Sequence, residues 1–325
     1  MKEFQFITQD NTDAYFNLAS EEYLLKQTDG YYFYLWINAP AVIVGVNQNT
    51  LQEVNLSYCN DNNIEVVRRL TGGGAVYHDL GNLCYTIIAP YEKGENHYQK
   101  FTAPVIDYLK TLGITANLSG RNDIEIDGKK ISGNAQTVYK DRIMHHGTIL
   151  FNADLTVLSK ALNPSKLKVE SKGIKSVRSR VANISEYLKT PMDINEFKKG
   201  LSNSILKSFS EYKLTKADLD KINALREDKY STYEWNIGKS PKGKYTFEGK
   251  FPFGILIVNF DIENGKTLNT KIYGDFFSFN DITVLEQKLN GIEFNKESFS
   301  LALFDVDTYI NGADKQQIID NIFCD

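Results

Sequence analysis

Apolar residues in the first third of the chain follow two repeats, one typical of helices and one typical of strands. Residues 10–27 and 98–112 place apolar side chains every three or four positions, which predicts two amphipathic helices. Thr12 is the candidate N-cap of the first helix, and Gly113 ends the second. Runs rich in β-branched and aromatic residues predict strands over residues 31–37, 41–46, 65–70 and 82–89.

Asp127 and Gly128 form a turn signal in the middle of the chain, because an Asp-Gly pair between two apolar runs is typical of a two-residue hairpin. It separates strands predicted over residues 123–126 and 130–139. A third strand, predicted over residues 143–151, follows directly, so we expect these strands to be antiparallel.

A polar stretch at residues 238–244 separates the last part of the chain from the rest. It contains two glycines, one proline and three lysines, a composition typical of a linker. Because 325 residues correspond to about two domains, we expect a domain at residues 1–241 and a smaller one at 242–325. Before the linker, helices are predicted over residues 193–208 and 217–227, and Asp193 and Glu196 have capping-box spacing at the start of the first. After the linker, strands are predicted over residues 253–260 and 267–273, on either side of a turn at 263–265. Helices are then predicted over residues 281–289, 295–303 and 314–322.

Composition and charge exclude several classes of protein. Hydrophobic residues make up 42% and charged residues 24%, which argues against a disordered or fibrous chain. With 37 basic and 41 acidic residues the net charge is −4, so we expect no nucleic-acid partner. The longest apolar stretch, residues 31–46, is too short and too interrupted to span a membrane, and residues 1–13 carry no leader signal. We therefore expect a cytoplasmic protein with no membrane partner.

The first candidate site is the run of three glycines at residues 72–74, which follows Arg68 and Arg69. Successive glycines let the backbone approach a ligand closely, and their N–H groups can bind an anion. The spacing matches neither a Walker A nor a Rossmann motif, so a flexible turn between strands is an equal alternative. Asn82, shortly after the run, has an amide that could contact a ligand or simply satisfy the loop backbone.

The second candidate site combines Asn122, Asp123 and Lys130 around the predicted hairpin. A lysine can hold carboxylate and phosphate oxygens together while charge develops at phosphorus, and an aspartate can bind Mg²⁺ with pyrophosphate. Taken in isolation, however, a Gly-Lys-Lys sequence is more typical of an exposed hairpin tip.

Two further segments carry candidate residues. His145 and His146 are adjacent on a predicted strand, so they face opposite sides and at most one of them can face a site; a structural histidine is the default for each. Residues 172–180 contain four cations, enough to close over a phosphate, although such a cluster is also common on a solvated surface.

Taken together, five ordered segments resemble the lipoate-protein ligase A family. No single one of them would justify the comparison, but their order along nearly the whole chain does. The segments are RRLTGGGAVYHDLGN at residues 68–82, GRNDIEIDGKKISGNAQ at 120–136, HHGTILFNADL at 145–155, KGIKSVRSRVANI at 172–184 and WNIGKSP at 235–241.

The resemblance implies an α+β fold: a catalytic domain of the biotin-ligase and class II synthetase type with a central mixed sheet, and a small α+β C-terminal domain. It also implies two half-reactions. In the first, ATP and lipoate give lipoyl-AMP and pyrophosphate, with Mg²⁺ as cofactor. In the second, a carrier lysine attacks the adenylate to form an amide. The implied partners are lipoyl domains of 2-oxoacid dehydrogenases or the glycine cleavage H protein, and we expect a monomer.

By position in these motifs, Lys130 is the implied catalytic residue, holding the lipoate carboxyl and the adenylate phosphate. The implied ATP and adenylate site comprises Arg69, Gly74, Ala75, Val76, Tyr77, Asn82, Asn122, Asp123 and Lys130, with Asp123 the candidate Mg²⁺ ligand. The implied lipoate site comprises Gly72, Gly73, His78, Lys130, Gly133, His146 and Gly147. The loop expected to cover the adenylate includes Lys172, Gly173, Ser176, Val177 and Arg178.

Two positions depart from the family pattern. Asn134 stands where a serine is expected, and Gln136 stands where some members carry an aromatic residue. Neither change removes a charged group, so we expect at most an altered pocket edge or acyl preference.

Three alternative functions use the same fold or the same ligand. A lipoyl or octanoyl transferase or amidotransferase would need no ATP but would need a nucleophilic cysteine that forms a thioester. The three cysteines, Cys59, Cys84 and Cys324, are far apart, lie outside residues 130–180, and fit neither a disulfide framework nor a zinc site. A non-catalytic lipoate-binding module is disfavoured because Lys130 and Asp123 are present. A biotin ligase is compatible with the fold but not favoured by the motifs.

Overall fold

Three sheets and ten α-helices account for most of the structure described by the computed structural model, which covers residues 4–120, 122–162, 180–240, 243–274, 276, 278 and 280–323. The strands are β1 Phe4–Thr8, β2 Tyr31–Ile37, β3 Ala41–Val44, β4 Glu65–Arg68, β5 Val76–His78, β6 Asn82–Pro90, β7 Asn117–Ser119, β8 Asp123–Ile126, β9 Lys129–Tyr139, β10 Arg142–Leu150, β11 Ser210–Glu211, β12 Gly243–Phe251, β13 Gly254–Glu263 and β14 Lys266–Gly274. The α-helices are α1 Ala14–Lys26, α2 Thr50–Glu53, α3 Leu56–Asp61, α4 His97–Thr111, α5 Leu158–Ala161, α6 Ile194–Ile205, α7 Lys216–Leu225, α8 Ile282–Lys288, α9 Lys296–Ala302 and α10 Lys315–Phe323. Short 3₁₀ turns lie at Ile184–Tyr187 and Val306–Thr308, and π turns at Arg226–Tyr230 and Glu234–Gly238.

The largest sheet has eight strands in the order β11-β1-β2-β6-β10-β9-β8-β7. β1 is parallel to both β11 and β2, and the other pairings are antiparallel, so the sheet is mixed. β10 lies between β6 and β9, and its register places Gly147 opposite Tyr85 on one side and Asn134 on the other. This register decides which residues of β9 and β10 reach each face.

Both faces of this sheet are covered by helices, so its central strands β2, β6 and β10 are mostly buried. On β2, Phe33 and Leu35 pack in a core with α4 and α6, whereas Tyr34 and Trp36 pack in a second core with α1 and α7. This alternation is the two-residue period of a strand. The candidate site lies on the α1 side of the sheet.

A second sheet carries the glycine run. Its strand order is β4-β3-β5, with β3 parallel to β4 and antiparallel to β5. β4 ends at Arg68 and β5 begins at Val76, so residues 69–75 form a loop that connects the two outer strands. We call residues 69–75 the glycine loop.

The C-terminal unit has its own three-stranded antiparallel sheet, β12-β13-β14, packed with α8, α9 and α10 around a separate core. Leu51 of α2 also packs in this core, and Tyr233 donates a hydrogen bond to the carbonyl of Gly265 at 2.8 Å. These contacts hold the unit against the rest of the chain. Because the unit has its own sheet and its own core, the predicted separate C-terminal domain is confirmed. The boundary between residues 241 and 242 lies outside the described residues and stays a prediction.

The α+β class is confirmed, and most predicted elements are present within a few residues of their expected ends. Thr12 is wrong as the cap of α1: Asp13 is the N-cap, because its Oδ1 accepts from the N–H of Phe16 at 2.9 Å. The linker prediction was also too long, since β12 begins at Gly243. Across the described residues, every helix is too short or too polar to traverse a bilayer.

Candidate active site

A cavity of about 210 Å³ lies between β10, the glycine loop and the β8–β9 hairpin. The predicted residues that line it are Arg69, Gly72, Gly73, Gly74, Ala75, Val76, His78, Asn122, Lys130, Gly133, His146 and Gly147. It is also lined by residues that the sequence did not assign: Leu18, Trp36, Ile43, Cys84, Asn134, Ala135 and Thr148. A larger, open cleft of about 650 Å³ contains none of the predicted site residues that the structure describes.

Lys130 contributes an ammonium group to the cavity lining. Its Nζ lies 2.8 Å from Oδ1 of Asp123, and both side chains are about a third exposed. The main chain of Lys130 is held by Arg180 and Ala182 through hydrogen bonds of 2.8 and 3.0 Å. A Cβ at Gly133 would lie 2.7 Å from this Nζ, so glycine at that position leaves room for the ammonium group.

Another part of the lining is apolar and comes from different elements. Leu18 of α1, Trp36 of β2 and Ile43 of β3 contribute side chains to it. The indole N–H of Trp36 donates to the hydroxyl of Thr86 at 2.9 Å, so the polar atom of this side chain is satisfied and its rings are available for contact with an apolar ligand. The cavity can therefore take a molecule with an apolar chain and an anionic end.

Arg69 holds the glycine loop in shape. Its Nη2 donates to the carbonyls of Gly72 and Gly74 at 2.7 and 2.9 Å, and its Nη1 donates to the carbonyl of Ile43 at 2.9 Å. Burial lowers the pKa of Arg69 to about 10, an effect that Glu21 partly offsets, so the guanidinium is charged at neutral pH. Most N–H groups of the guanidinium donate hydrogen bonds within the protein, so the role of Arg69 is to fix the conformation of the glycine loop.

A buried chain of hydrogen bonds links Arg69 to α1. Nδ1 of His146 lies 2.9 Å from Oε1 of Glu21, and its Nε2 lies 2.8 Å from Oγ1 of Thr71. The same Thr71 oxygen accepts from Nε of Arg69 at 2.9 Å. The sequence motifs do not single out Glu21 and Thr71. The available signal was a glutamate between Leu18 and Leu25 on the apolar face of a predicted helix, where a charge needs a buried partner.

The two adjacent histidines face opposite sides of β10, as predicted, and His146 is the one that lines the cavity. His78 also lines it, with Nδ1 3.1 Å from Nδ2 of Asn38. Burial, with smaller contributions from Arg69 and His146, lowers the pKa of His78 to about 3. His78 is therefore neutral near pH 7 and adds no charge to the site.

Three predicted residues lie beside the cavity without lining it. Asp123 contacts the cavity through Lys130. Tyr77 packs on the core of the small sheet, and Asn82 is buried with its Nδ2 3.2 Å from Sγ of Cys84. Their assignment to a nucleotide site stays a prediction. The predicted covering loop, with Lys172, Gly173, Ser176, Val177 and Arg178, lies outside the described residues.

Comparison with known proteins gives two family matches. The lipoyl protein ligase A/B catalytic domain matches residues 13–206, and the bacterial lipoate protein ligase C-terminus matches residues 240–322. The chain belongs to the lipoate-protein ligase family. Within this family, lipoate–protein ligase 1 of Staphylococcus aureus is 45% identical over 97% of this chain and 98% of its own. Lipoate-protein ligase LplJ of Bacillus subtilis is 42% identical over 98% of this chain and 99% of its own.

Solved structures of lipoate-protein ligases are similar in fold. The bipartite ligase of Thermoplasma acidophilum, described with its E2 lipoyl domain, has a TM-score of 0.66 at 29% identity and covers 75% of this chain and 99% of its own. A lipoate-protein ligase A bound with ATP has a TM-score of 0.64 at 27% identity, covering 74% and 100%. The Plasmodium falciparum protein LipL1, in complex with lipoate, has a TM-score of 0.61 at 27% identity and covers 98% of both chains.

The cysteines bear on the transferase alternative within the same fold. Cys84 lines the cavity, with Sγ 3.6 Å from Nδ1 of His78, but burial raises the pKa of its thiol well above the ordinary value. Cys59 is buried in the core of the small sheet. A buried, protonated thiol is a poor nucleophile, so neither described cysteine fits the thioester chemistry of a transferase. Cys324 lies outside the described residues.

Proposed function

We propose that this protein is an ATP-dependent lipoate-protein ligase, which activates free lipoate as lipoyl-AMP and then transfers the lipoyl group to a lysine of a lipoyl domain. The observation that carries this proposal is the Lys130 ammonium in a cavity that has both an apolar part, formed by Leu18, Trp36 and Ile43, and the glycine loop in its lining. An acyl chain with a terminal carboxylate matches this distribution of charge.

In the proposed first step, a carboxylate oxygen of lipoate attacks the α-phosphorus of ATP and pyrophosphate leaves. Lys130 exchanges its pairing with Asp123 for contacts to the carboxylate and to the α-phosphate, which brings the two anions together and stabilises the charge that develops at phosphorus. The backbone N–H groups of the glycine loop are the proposed contacts for the phosphates and the adenylate, with Arg69 fixing the loop.

In the proposed second step, the neutral ε-amine of the carrier lysine attacks the carbonyl carbon of lipoyl-AMP. The C–O bond to AMP breaks, an amide forms, and the amine loses a proton to solvent. Lys130 stays protonated and holds the phosphate of the departing AMP. Trp36 and Leu18 would contact the lipoyl chain, and His146 and Gly147 would shape the pocket. Residues 172–178 complete the proposal as the segment that excludes water from the adenylate.

The described residues fit a Mg²⁺ ion only when it is bound together with the ATP phosphates. No three His, Cys, Asp or Glu side chains converge in the part of the chain that the structure describes. Mg²⁺ commonly uses one or two carboxylates and completes its shell with phosphates and water. Asp123, released from Lys130 by the substrates, would supply that carboxylate and help neutralise the pyrophosphate.

The proposed acceptors are lipoyl domains of 2-oxoacid dehydrogenase complexes or the glycine cleavage H protein. The Thermoplasma acidophilum ligase is described with such an E2 lipoyl domain, which supports this class of partner. We also propose that the protein is a monomer and that it lies in the cytoplasm, where ATP is available. The proposed boundary between its two domains lies between residues 241 and 242.

The test is lipoate-dependent pyrophosphate release together with the mass of an added lipoyl domain. Wild-type protein should release pyrophosphate and add one lipoyl group to the domain. Lys130→Ala should lose both activities by roughly two to three orders of magnitude and keep its fold, because it removes a polar site group without opening a core cavity.

Lys129→Ala is the matched control, because Lys129 is the exposed neighbour on the same strand. It should keep wild-type rates. If Lys130→Ala retains full activity while folded, Lys130 does not have the proposed role. Acyl transfer from a lipoylated donor without ATP would instead establish the transferase.

A further inference from the structure

Asn134 lines the cavity, and both polar atoms of its side chain form hydrogen bonds. It is 3% exposed. Its Oδ1 accepts from the hydroxyl of Tyr85 at 2.5 Å and lies 3.2 Å from Nε2 of His145. Its Nδ2 donates to the carbonyl of Asn122 at 3.0 Å and to Oγ of Ser132 at 3.2 Å. A side chain with this many buried partners adopts one orientation.

Gln136 decides which ring nitrogen of His145 carries the proton. Its Nε2 lies 2.9 Å from Nδ1 of His145, and an amide NH₂ group can only donate. Nδ1 is therefore the acceptor. Burial lowers the pKa of His145 to about 3, so the ring is neutral and its single proton lies on Nε2, which is 3.2 Å from both Oδ1 of Asn134 and the hydroxyl oxygen of Tyr85. Donation runs in one direction from Gln136 through His145 and Asn134 to the carbonyl of Asn122.

This chain of hydrogen bonds ends at Asn122, which lines the polar part of the cavity. Nδ2 of Asn122 donates to the carbonyl of Asn134 at 2.7 Å, and the N–H of Asn134 donates to the carbonyl of Asn122 at 2.9 Å. The next residue, Asp123, pairs with Lys130 at 2.8 Å. The place of the Asp123–Lys130 pair thus depends on how Asn122 is held.

We propose that Gln136, His145 and Asn134 are positioning residues, whose directional hydrogen bonds set the placement of Asn122 and Asp123 against Lys130. This inference rests on the proposed ligase function. Asn134 and Gln136 are also the two positions at which the sequence departs from the family pattern. The structure joins them through His145, so the two departures belong to one network.

Gln136→Glu tests the direction of the chain. A carboxylate at this position can only accept, so it would hold a proton on Nδ1 of His145 and turn a lone pair of Nε2 toward Oδ1 of Asn134. Imidazole ¹⁵N NMR should show the Nε2–H form in the wild type and the Nδ1–H form in the variant. The kcat of lipoate-dependent pyrophosphate release should fall by roughly 10- to 100-fold through misalignment, with little change in KM for lipoate because the apolar wall is untouched.

Gln99→Glu is the matched control. It makes the same change of charge at an exposed position on α4 and should keep the wild-type kcat and KM. An inverted tautomer with wild-type kcat, or an unchanged tautomer in Gln136→Glu, would overturn the proposal.

A double-mutant cycle keeps the proposal testable if the glutamate variant folds poorly. Gln136→Ala should lower kcat on its own but by less than about twofold in an Asn134→Ser background, because Gln136 acts through Asn134. Losses that multiply independently would overturn the proposal. A wild-type protein without lipoate-dependent pyrophosphate release would instead overturn the proposed function, a result that is visible before any variant is compared.

Discussion

His145 and His146 are neighbours in sequence but lie on opposite faces of β10, and only His146 lines the cavity. His146 joins Glu21 to Thr71 on the α1 side, and His145 joins Gln136 to Asn134 on the other side. The period of a strand predicts that the two rings diverge. It does not predict which ring reaches the cavity, because that depends on contacts with residues more than 70 positions away, such as Thr71 and Glu21.

Two neutral histidines predict a loss of stability in acid. Burial lowers the pKa of His78 and of His145 to about 3, whereas an unfolded histidine titrates near 6.5. Between these values the unfolded chain binds protons that the folded chain does not. The free energy of unfolding is therefore unaffected by these groups above about pH 6.5 and falls as the pH drops toward 3, by up to about 1.4 kcal/mol per pH unit for each histidine.

His145→Gln should reduce this dependence, because glutamine does not titrate. Urea denaturation between roughly pH 7 and 5 measures it, and the slope of the unfolding free energy against pH should be smaller in the variant by about 1 kcal/mol per pH unit. Equal slopes in the two proteins would show that His145 titrates alike in the folded and the unfolded state.

At the scale of elements, the sequence predicts the β8–β9 hairpin well and β12 poorly. The hairpin has a local signal, since Asp127 and Gly128 adopt φ values of 52° and 74°, which suit an Asp-Gly turn. β12 partly buries only alternate side chains, and its exposed lysines together with its two glycines have the composition of a linker. Only the partner strand β13 distinguishes such a half-polar strand from a loop.

β10 requires a glycine at position 147, because the strand has no room there for a side chain. Composition alone does not show this requirement. A Cβ at this position would collide with Oδ1 of Asn134 and lie 2.6 Å from a ring carbon of Tyr85. Both neighbours are buried, so neither can move freely. We expect Gly147→Ala to lower the free energy of unfolding by about 1 to 3 kcal/mol and to disturb the cavity wall.

Gly72→Ala is the stability control for this prediction, because a Cβ at Gly72 meets nothing within 4 Å. Chemical denaturation of the two variants beside the wild type makes the comparison. A Gly147→Ala protein as stable as the wild type and as Gly72→Ala would mean that the crowding at Gly147 is relieved without cost.

At the scale of the whole molecule, Arg68, the residue before the glycine loop, connects residues 45–48 to the chain that leads into the C-terminal unit. Its guanidinium donates to the carbonyls of Gly45 and Gln48 at 3.0 and 2.7 Å and to those of Trp235 and Asn236 at 3.0 and 3.1 Å. The first and last of the five sequence segments therefore meet at one buried residue. The sequence shows both segments in order, but their contact spans 167 positions and needs the fold to become visible.

Arg68→Lys should loosen this junction. A lysine keeps the charge but cannot reproduce the planar set of donors, so several buried carbonyls would lose their partners. We expect the free energy of unfolding to fall by at least about 2 kcal/mol. Hydrogen exchange should also become faster in residues 45–50 and 234–240 than in the strands of the large sheet, because those two segments share Arg68.

Arg226→Lys provides the comparison, since Arg226 forms a partly exposed ion pair with Asp13 and such pairs contribute about 0 to 1 kcal/mol. Loss of pyrophosphate release in Arg68→Lys beyond the loss of stability would indicate that the junction also shapes the glycine loop, because Arg69 begins that loop and its N–H donates to the carbonyl of Val44 at 2.9 Å. If exchange rises equally throughout the described chain, Arg68 stabilises the fold as a whole and is not a local link between the two units.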